Sequence, residues 1–320
     1  MISGDTKRIS VLVPSYNHAK FVAKSLRSII GQTHSPSELL VIDDGSSDGS
    51  PEVIADILKD CPLPSELIVN ENKGLCSTLN EGLGRTNGEY FAYLGSDDIW
   101  LPDFLANRFA LLESRPEAVL GYGNGYLIDA EDRIFENSAD WRGFTFPDGD
   151  PRSMLYMGTA PISSTVVYRR SAVAKHGWNE DAKLEDYELY LQLVEDGEFA
   201  FDPSVLAAWR KHESNTSGDL DFMFGECLTA QKRVAAKLGW SEDKRREISR
   251  RTSFFFSEEY ARAGRKVKAN SLLFSNLRGA PSFRTLLRAF VRSLVPISIL
   301  ERRKEAVRAR TNEQYGSIRI

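Results

Sequence analysis

The sequence predicts an α/β protein built on a mixed, largely parallel sheet flanked by helices, with a helical extension after it. Three observations carry that prediction. Over the first hundred residues, short continuous apolar runs alternate with helix-spaced segments, the pattern of strands buried on both faces. Each run stops on a polar cluster, and open α/β sheets bind ligands at the carboxyl ends of their strands. Beyond Ser217 the strand signals vanish.

The first strand is RISVLVPSY (8–16), closed by a proline and small polar residues. AKFVAKSLRSIIGQ (19–32) follows, with Phe21, Val22, Leu26, Ile29 and Ile30 on one helical face. ELLVIDDG (38–45) is the second strand. Ser50-Pro51 then opens a helix, serine as its cap and proline in its first turn. ELIVN (66–70) is the third strand, GLCSTLNEGLGR (74–85) a helix and EYFAYL (89–94) the fourth strand. After Leu101 the alternation loosens. AVLGYGNGYLID (118–129), STVVYRR (164–170) and VLAAWRKH (205–212) read as strands, and LEDYELYLQLVEDG (184–197) as an amphipathic helix. Residues 221–310 read as four or five helices jointed at Gly239, Gly264, Gly279-Ala280-Pro281 and Pro296. The expected division is a sheet domain over 1–217 and a helical region over 218–320. Within the sheet domain, one half runs to about residue 98 and the other from 99.

Composition fits a soluble globular protein: 42% hydrophobic and 27% charged residues in a chain of 320. No run of apolar residues is long enough for a membrane span, and MISGDTKRIS lacks the apolar core of a signal peptide. Cys61, Cys76 and Cys227 are scattered without metal spacing, so the expected setting is a reducing cytoplasm.

The chemistry-bearing residues lie at strand ends. Asp43-Asp44-Gly-Ser-Ser-Asp48 follows the second strand, and Pro14-Ser15-Tyr16-Asn17 closes the first. If the two loops share an edge, they offer a flat ring and a carboxylate acceptor, which suits a nucleobase with an N–H to donate. Taken alone, the aspartate loop is equally a solvated turn. Lys73 opens a helix and could meet a phosphate there. Gly95-Ser96-Asp97-Asp98 ends the fourth strand, and its oxygens suit Mn²⁺ or Mg²⁺ carrying substrate phosphates. Asp98 could instead cap the following helix. His18 and His34 read as loop residues and His176 as a helix end, with no metal spacing among them. Trp178 can be core or a sugar-stacking face, whereas Trp209 reads as core.

These segments, in this order, resemble a family 2 glycosyltransferase of the GT-A fold, whose mixed sheet is Rossmann-like. The matching pieces are VPSYNH (13–18), SLRSIIGQT (25–33), LLVIDDGSSDGS (39–50), NKGLCSTLNEGLGRTNGEYFAYLGSDD (72–98), HGWNEDAKLEDYELYLQL (176–193) and WRKHESNTS (209–217). The resemblance implies an inverting transfer from a nucleotide-diphospho-sugar donor, UDP- or dTDP-linked, to a saccharide hydroxyl. The acceptor would be carried on a polyprenyl lipid in surface polysaccharide (O-antigen-type) assembly. It places Pro14, Tyr16, Asn17, Asp44, Lys73 and Ser96 at the donor nucleotide, and Asp97 and His212 at the metal. Asp186 becomes the general base, with Glu185 as its substitute if Asp186 only caps its helix. Trp178 and Asp98 are the acceptor-side candidates, and Ser217 matches a polar position after His212. The sequence departs from the family's Asp-x-Asp-Asp pattern at Gly95, which puts strong metal binding by the protein alone in doubt. The competing readings are a nucleotidyltransferase and a non-catalytic sugar-nucleotide or membrane scaffold. The first calls for a Gly-rich basic phosphate loop near the N-terminus, which VPSYNHAKF is not; Gly95 is the only support for the second.

Charge is uneven. Residues 281–310 hold eight basic and two acidic side chains, a net +6, so the remainder of this −4 chain stands at −10. In SFRTLLRAFVRSLVPISIL (282–300), Arg284, Arg288 and Arg292 recur every fourth residue opposite Phe283, Leu286, Leu287, Phe290, Val291 and Leu294. Two readings stand side by side: a membrane-surface helix, or a helix packed on the body or on a second subunit with its arginines in water. The first would put the protein at the inner face of the cell membrane. Nucleic-acid binding is not expected, because the positive charge is confined to this segment.

Overall fold

The computed structural model describes residues 8–141, 146–212 and 218–319. Strand β1 (Ile9–Ser15) pairs in parallel with β2 (Glu38–Asp43) on one side and β4 (Tyr90–Tyr93) on the other. β2 in turn pairs in parallel with β3 (Ser65–Val69). The crossovers are α1 (Val22–Ile30), α2 (Ser50–Lys59) and α3 (Leu75–Arg85). Side chains alternate across a strand, so a strand covered on both faces needs apolar residues at every position. β1 shows this directly. Val11 and Val13 pack with Val22, Leu26, Ile29 and Ile54, while Leu12 packs with Leu40, Ile42, Leu79 and Leu83.

The second half adds β5 (Ile99–Trp100), α4 (Phe104–Ser114), β6 (Ala118–Ile128), β7 (Ile134–Asn137) and a short α5 (Arg152–Leu155). β8 (Val167–Arg169), α6 (Arg170–His176), α7 (Glu185–Leu193) and β9 (Glu198–Arg210) complete it. The sheet order is β3-β2-β1-β4-β8-β6-β9-β5, with β7 on β6. β8 runs antiparallel to β4 and β6, so the sheet is mixed, as expected. Several elements differ from the sequence reading: β5, β7 and α5 have no counterpart in it, and β9 differs in extent. β9 begins seven residues before the expected strand, because Asp202-Pro203 interrupts its apolar run while its register with β6 shifts. The helix expected after Asp98 had no bounds in the sequence reading; α4 is hard to delimit because a charge sits on its inner face. Arg108 is fully buried, with Nη1 donating to Asp202 Oδ2 at 2.6 Å and Nε to the Thr165 carbonyl at 3.0 Å.

Among the described residues five α-helices follow: α8 (Leu220–Leu238), α9 (Glu242–Arg262), α10 (Lys266–Ser275), α11 (Phe283–Leu294) and α12 (Ile297–Tyr315). They break where Gly239, Gly264, residues 279–281 and Pro296 were expected to break them. These helices share a core with the sheet: Cys227, Val234, Phe256 and Tyr260 lie in one cluster with Tyr93, Tyr187 and Tyr190. The chain then returns to the sheet. Ile134 N donates to the Gly316 carbonyl at 2.9 Å and Ile318 N to the Asp132 carbonyl at 3.0 Å. The Ile318 side chain is buried with Ile99, Ile128 and Ala208. Helix α11 departs from the packed-helix reading of its sequence, in which the arginines stand in water and the apolar arc is covered. Arg292 Nη1 donates to Glu258 Oε1 of α9 at 2.7 Å, and much of the apolar arc faces solvent. None of the described helices is long and apolar enough to cross a membrane.

Candidate active site

Parallel register sets the donor side of the site. Ser15 pairs with Asp43, so Tyr16 and Asp44 leave neighbouring strands at the same level. Hydrogen bonds lace the two loops together. Asn17, at φ +53°, donates its N–H to Ser46 Oγ at 2.8 Å and accepts at Oδ1 from Ser47 N at 2.9 Å. His18 N donates to Ser50 Oγ at 3.0 Å and Ala19 N to Asp48 Oδ2 at 2.9 Å. The Asn17 side chain is therefore a loop clasp. Pro14 sits inside the sheet opposite Ile42, beneath the loop. The Tyr16 side chain stands out on this edge, with the residue 49% exposed.

Asp44 is buried, and its oxygens accept from Lys73 N and Gly74 N, both at 2.9 Å. A carboxylate has about four lone-pair sites, so acceptor capacity remains after these two bonds. The same bonds alter the expectation for Lys73. The backbone N–H groups entering α3 point at Asp44 rather than outward, and the Lys73 ammonium pairs with Glu81. Gly45 is required here: at φ +78°, a β-carbon would lie 2.8 Å from Asn72 N.

The turn after β4 closes with Asp98 N donating to the Gly95 carbonyl at 3.0 Å. Its two aspartates have different surroundings. Asp97 is 8% exposed, and His212 Nε2 lies 3.0 Å from its Oδ2. His18 Nδ1 lies 3.8 Å from Asp97 Oδ1 and 2.8 Å from Ser96 Oγ. One ligand atom from each of His18, Asp97 and His212 falls within 4.8 Å of the others. Phe21 stacks on His212 with centroids 5.4 Å apart. Burial alone would push the Asp97 carboxyl up, but the His212 bond and the neighbouring imidazoles offset it and hold it below its usual value. Burial also lowers His18, against the pull of Asp97.

Asp98 does not cap the next helix. Its Oδ1 accepts from Arg210 N at 2.8 Å, tying the turn to β9. Burial, and then the Asp97 charge, push its carboxyl well up. Arg210 completes the brace: Nε donates to the Asp97 carbonyl at 2.7 Å, Nη1 to the Asp129 carbonyl at 2.6 Å and Nη2 to Asp132 Oδ1 at 2.6 Å. His18 is the residue that sequence spacing missed. It comes from the β1 loop and joins Asp97 and His212 only because β1 and β4 are neighbours in the sheet.

Glu185 and Asp186 open α7, where unsatisfied N–H groups favour anions. Burial nevertheless raises both carboxyls, Asp186 to about 6, and the Asp186 charge raises Glu185 further. Tyr93, Tyr168 and Tyr190 stack in series, with centroids 6.4 and 6.3 Å apart; Tyr93 and Tyr168 feel the charge of both carboxylates and Tyr190 that of Asp186. Trp178 corrects an expectation. It is 3% exposed and packs against Phe91, Tyr93 and Tyr168, so it belongs to the core and offers no open face to a sugar. His176 ends α6 as expected and pairs with Asp196, while His34 stacks on Phe109. Ser217 lies outside the described residues.

A parallel β3-β2-β1-β4 half with loop clusters at its carboxyl edge, joined through β8 to an antiparallel-containing half, is the architecture of a GT-A glycosyltransferase. The chain belongs to glycosyl transferase family 2, whose pattern matches residues 10–177. It is 30% identical over 172 residues to the glycosyltransferase alr2836 of Nostoc, covering 52% of each chain. It is 27% identical over 212 residues to the chondroitin synthase of Escherichia coli, covering 65% of this chain and 30% of that one. It is 31% identical over 124 residues to TuaG of Bacillus subtilis, a putative teichuronic acid biosynthesis glycosyltransferase, covering 39% of this chain and 48% of that one. The matches thus span about half or less of these relatives' length. Among solved structures, S. aureus TarS 1–349 in complex with UDP-GlcNAc superposes with a TM-score of 0.60 at 16% identity, covering 96% of this chain and 91% of that one. The Pyrobaculum calidifontis mannosyltransferase PcManGT, in complex with GDP-Man and Mn²⁺, gives 0.59 at 17% identity, covering 97% and 88%. At these identities the likeness concerns the fold.

Proposed function

We propose that this protein is an inverting, metal-assisted glycosyltransferase. It moves a sugar from a UDP- or dTDP-linked donor to a saccharide hydroxyl, on a lipid-linked acceptor in surface-polysaccharide assembly. The observation that carries the reading is the convergence of His18, Asp97 and His212, from three separate segments, beside the loop that bears Tyr16. The names of the chondroitin synthase, TuaG and TarS relatives support the polysaccharide setting.

The donor set fits a divalent ion. Two imidazoles and one carboxylate suit Mn²⁺ better than Mg²⁺, which favours oxygen ligands, and Asp98 is already committed to Arg210 N. When bound, such an ion neutralises the charge that grows on the departing diphosphate. Gly95 has a physical reason that does not require a degenerate site. A β-carbon there would lie 2.9 Å from Asp97 Oδ1, so glycine makes room for the carboxylate.

The chain's own residues do the rest. The Tyr16 ring offers a stacking face for the base, and Asp44 accepts the N–H that uracil and thymine both present. Asp186 takes the acceptor's proton as the new bond forms, and a single displacement inverts the anomeric centre. Lys73, paired with Glu81, has no part in this scheme. Residues to about 98 hold the donor, residues 99–217 shape the acceptor side, and the helices after them support both.

The test is turnover. Wild type and Asp186→Asn are incubated with UDP- and dTDP-sugars, Mn²⁺ and an oligosaccharide panel, and nucleoside-diphosphate release and product anomer are read. The expected result is an inverted product and a loss on the order of 10²–10⁴ in the variant, with nucleotide binding kept. Wild-type turnover in the variant would remove Asp186 as the base, and a retained anomer would overturn the single displacement.

A further inference from the structure

Helix α11 packs on its less apolar side. Ala289 and Ser293 are buried against the body, Leu286 lies beside Phe254 and Leu273, and Arg292 and Arg288 reach Glu258 at 2.7 and 3.6 Å. The broad apolar arc is left outside. Phe283 is 78% exposed and Leu294 69%, with Leu287, Phe290 and Val291 between them on the same face. Phe274 of α10, also exposed, meets Phe290 edge to face at 6.2 Å and widens the patch. Single exposed apolar residues need no explanation, but six that adjoin on neighbouring helices do.

Charge identifies what covers them. Arg284 flanks the arc and is exposed, and α12 continues with exposed Arg302, Arg303 and Lys304. None of these four ion-pairs with a described residue. A second copy docked through the same face would bring two segments of net +6 together. An anionic surface with an apolar interior meets both demands at once: the apolar side chains enter it, and the bases meet its charge. The −10 carried by the remaining residues would be repelled by that surface, so the molecule would bind it in one orientation.

We propose that α11, with Phe274 and the start of α12, is a docking foot for an anionic lipid bilayer, entering it through Phe283, Leu287, Phe290, Val291 and Leu294. The inference does not depend on the donor or on turnover.

The test uses the full chain without nucleotide. Wild type is sedimented with vesicles of phosphatidylcholine alone and of phosphatidylcholine with phosphatidylglycerol. Phe283→Ser/Leu287→Ser and Arg302→Glu/Arg303→Glu are treated alike, and melting temperature and oligomeric state are read on each. The proposal expects binding to the anionic vesicles that weakens with salt, little on neutral ones, and at least about a tenfold loss in each variant at unchanged melting temperature. No binding to either vesicle would overturn it, as would equal binding to both. A wild-type dimer that Phe283→Ser/Leu287→Ser makes monomeric would overturn it too, because the patch would then be a self-interface. Should a variant melt early, Leu287→Trp gives an independent reading: its emission, taken as the difference from wild type with its five tryptophans, should shift blue on anionic vesicles and stay unchanged if the proposal fails.

Discussion

Neighbouring aspartates in one turn serve opposite ends. Asp97 faces two imidazoles, while Asp98 faces inward to Arg210 N. That difference predicts how each tolerates change. Asp98→Asn keeps an acceptor for Arg210 N and should cost under about 1 kcal/mol in urea unfolding, whereas Asp98→Ala leaves a buried N–H unmet and should cost about 1–3 kcal/mol. The sequence named both aspartates but could not assign these parts, because the separating partner lies on β9, more than a hundred residues away. The acidic pair has its own signature. The proposed general base, Asp186, would work ionised, and burial lifts its carboxyl to about 6, so kcat should fall as pH drops through that value, about tenfold per unit below it. The limb should vanish in Asp186→Asn. A limb near the ordinary carboxylate value would mean the base is solvated.

At the scale of elements, the parallel half was legible throughout and the mixed half only in part: β6, β8, α7 and the end of β9 were read, while β5, β7, the bounds of α4 and the start of β9 were not. β1, β2 and β4 are covered on both faces, so their apolar runs are unbroken and their ends fall at polar clusters. α4 and the start of β9 were hidden because Arg108 and Asp202 satisfy one another inside the protein, which breaks periodicity in both. The helix joints after residue 218 were legible for the converse reason: glycine and proline act locally, whatever packs around them. The return of residues 316–318 to the turn before β7 had no signal at all. It has a consequence for the site, since Asp132 of that turn holds Arg210, and Arg210 holds the Asp97 turn. Ile318→Asp should therefore cost about 3 kcal/mol and also weaken Mn²⁺ binding. Calorimetric titration of Mn²⁺ on the folded variant reads the second effect, and unchanged affinity would show that the brace stands without that segment.

Over the whole molecule, sheet and helices share one core, with Cys227 and Phe256 packed in the cluster of Tyr187. Urea unfolding followed by tryptophan fluorescence and by helix circular dichroism should give coincident curves. Two separated transitions would show that the boundary near 217 divides independent units. The same architecture places the candidate metal cluster of His18, Asp97 and His212 where three segments meet. The most direct measurement is thermal unfolding of wild type and Asp97→Ala with UDP, dTDP, GDP and CMP, each with and without Mn²⁺. A ligand that binds only the folded state stabilises it by about 2.7 kcal/mol at a hundred times its Kd, a rise of several degrees. The expected result is a rise with UDP or dTDP that needs Mn²⁺ and is absent in Asp97→Ala. Equal rises in both proteins, or none with any nucleotide, would contradict it.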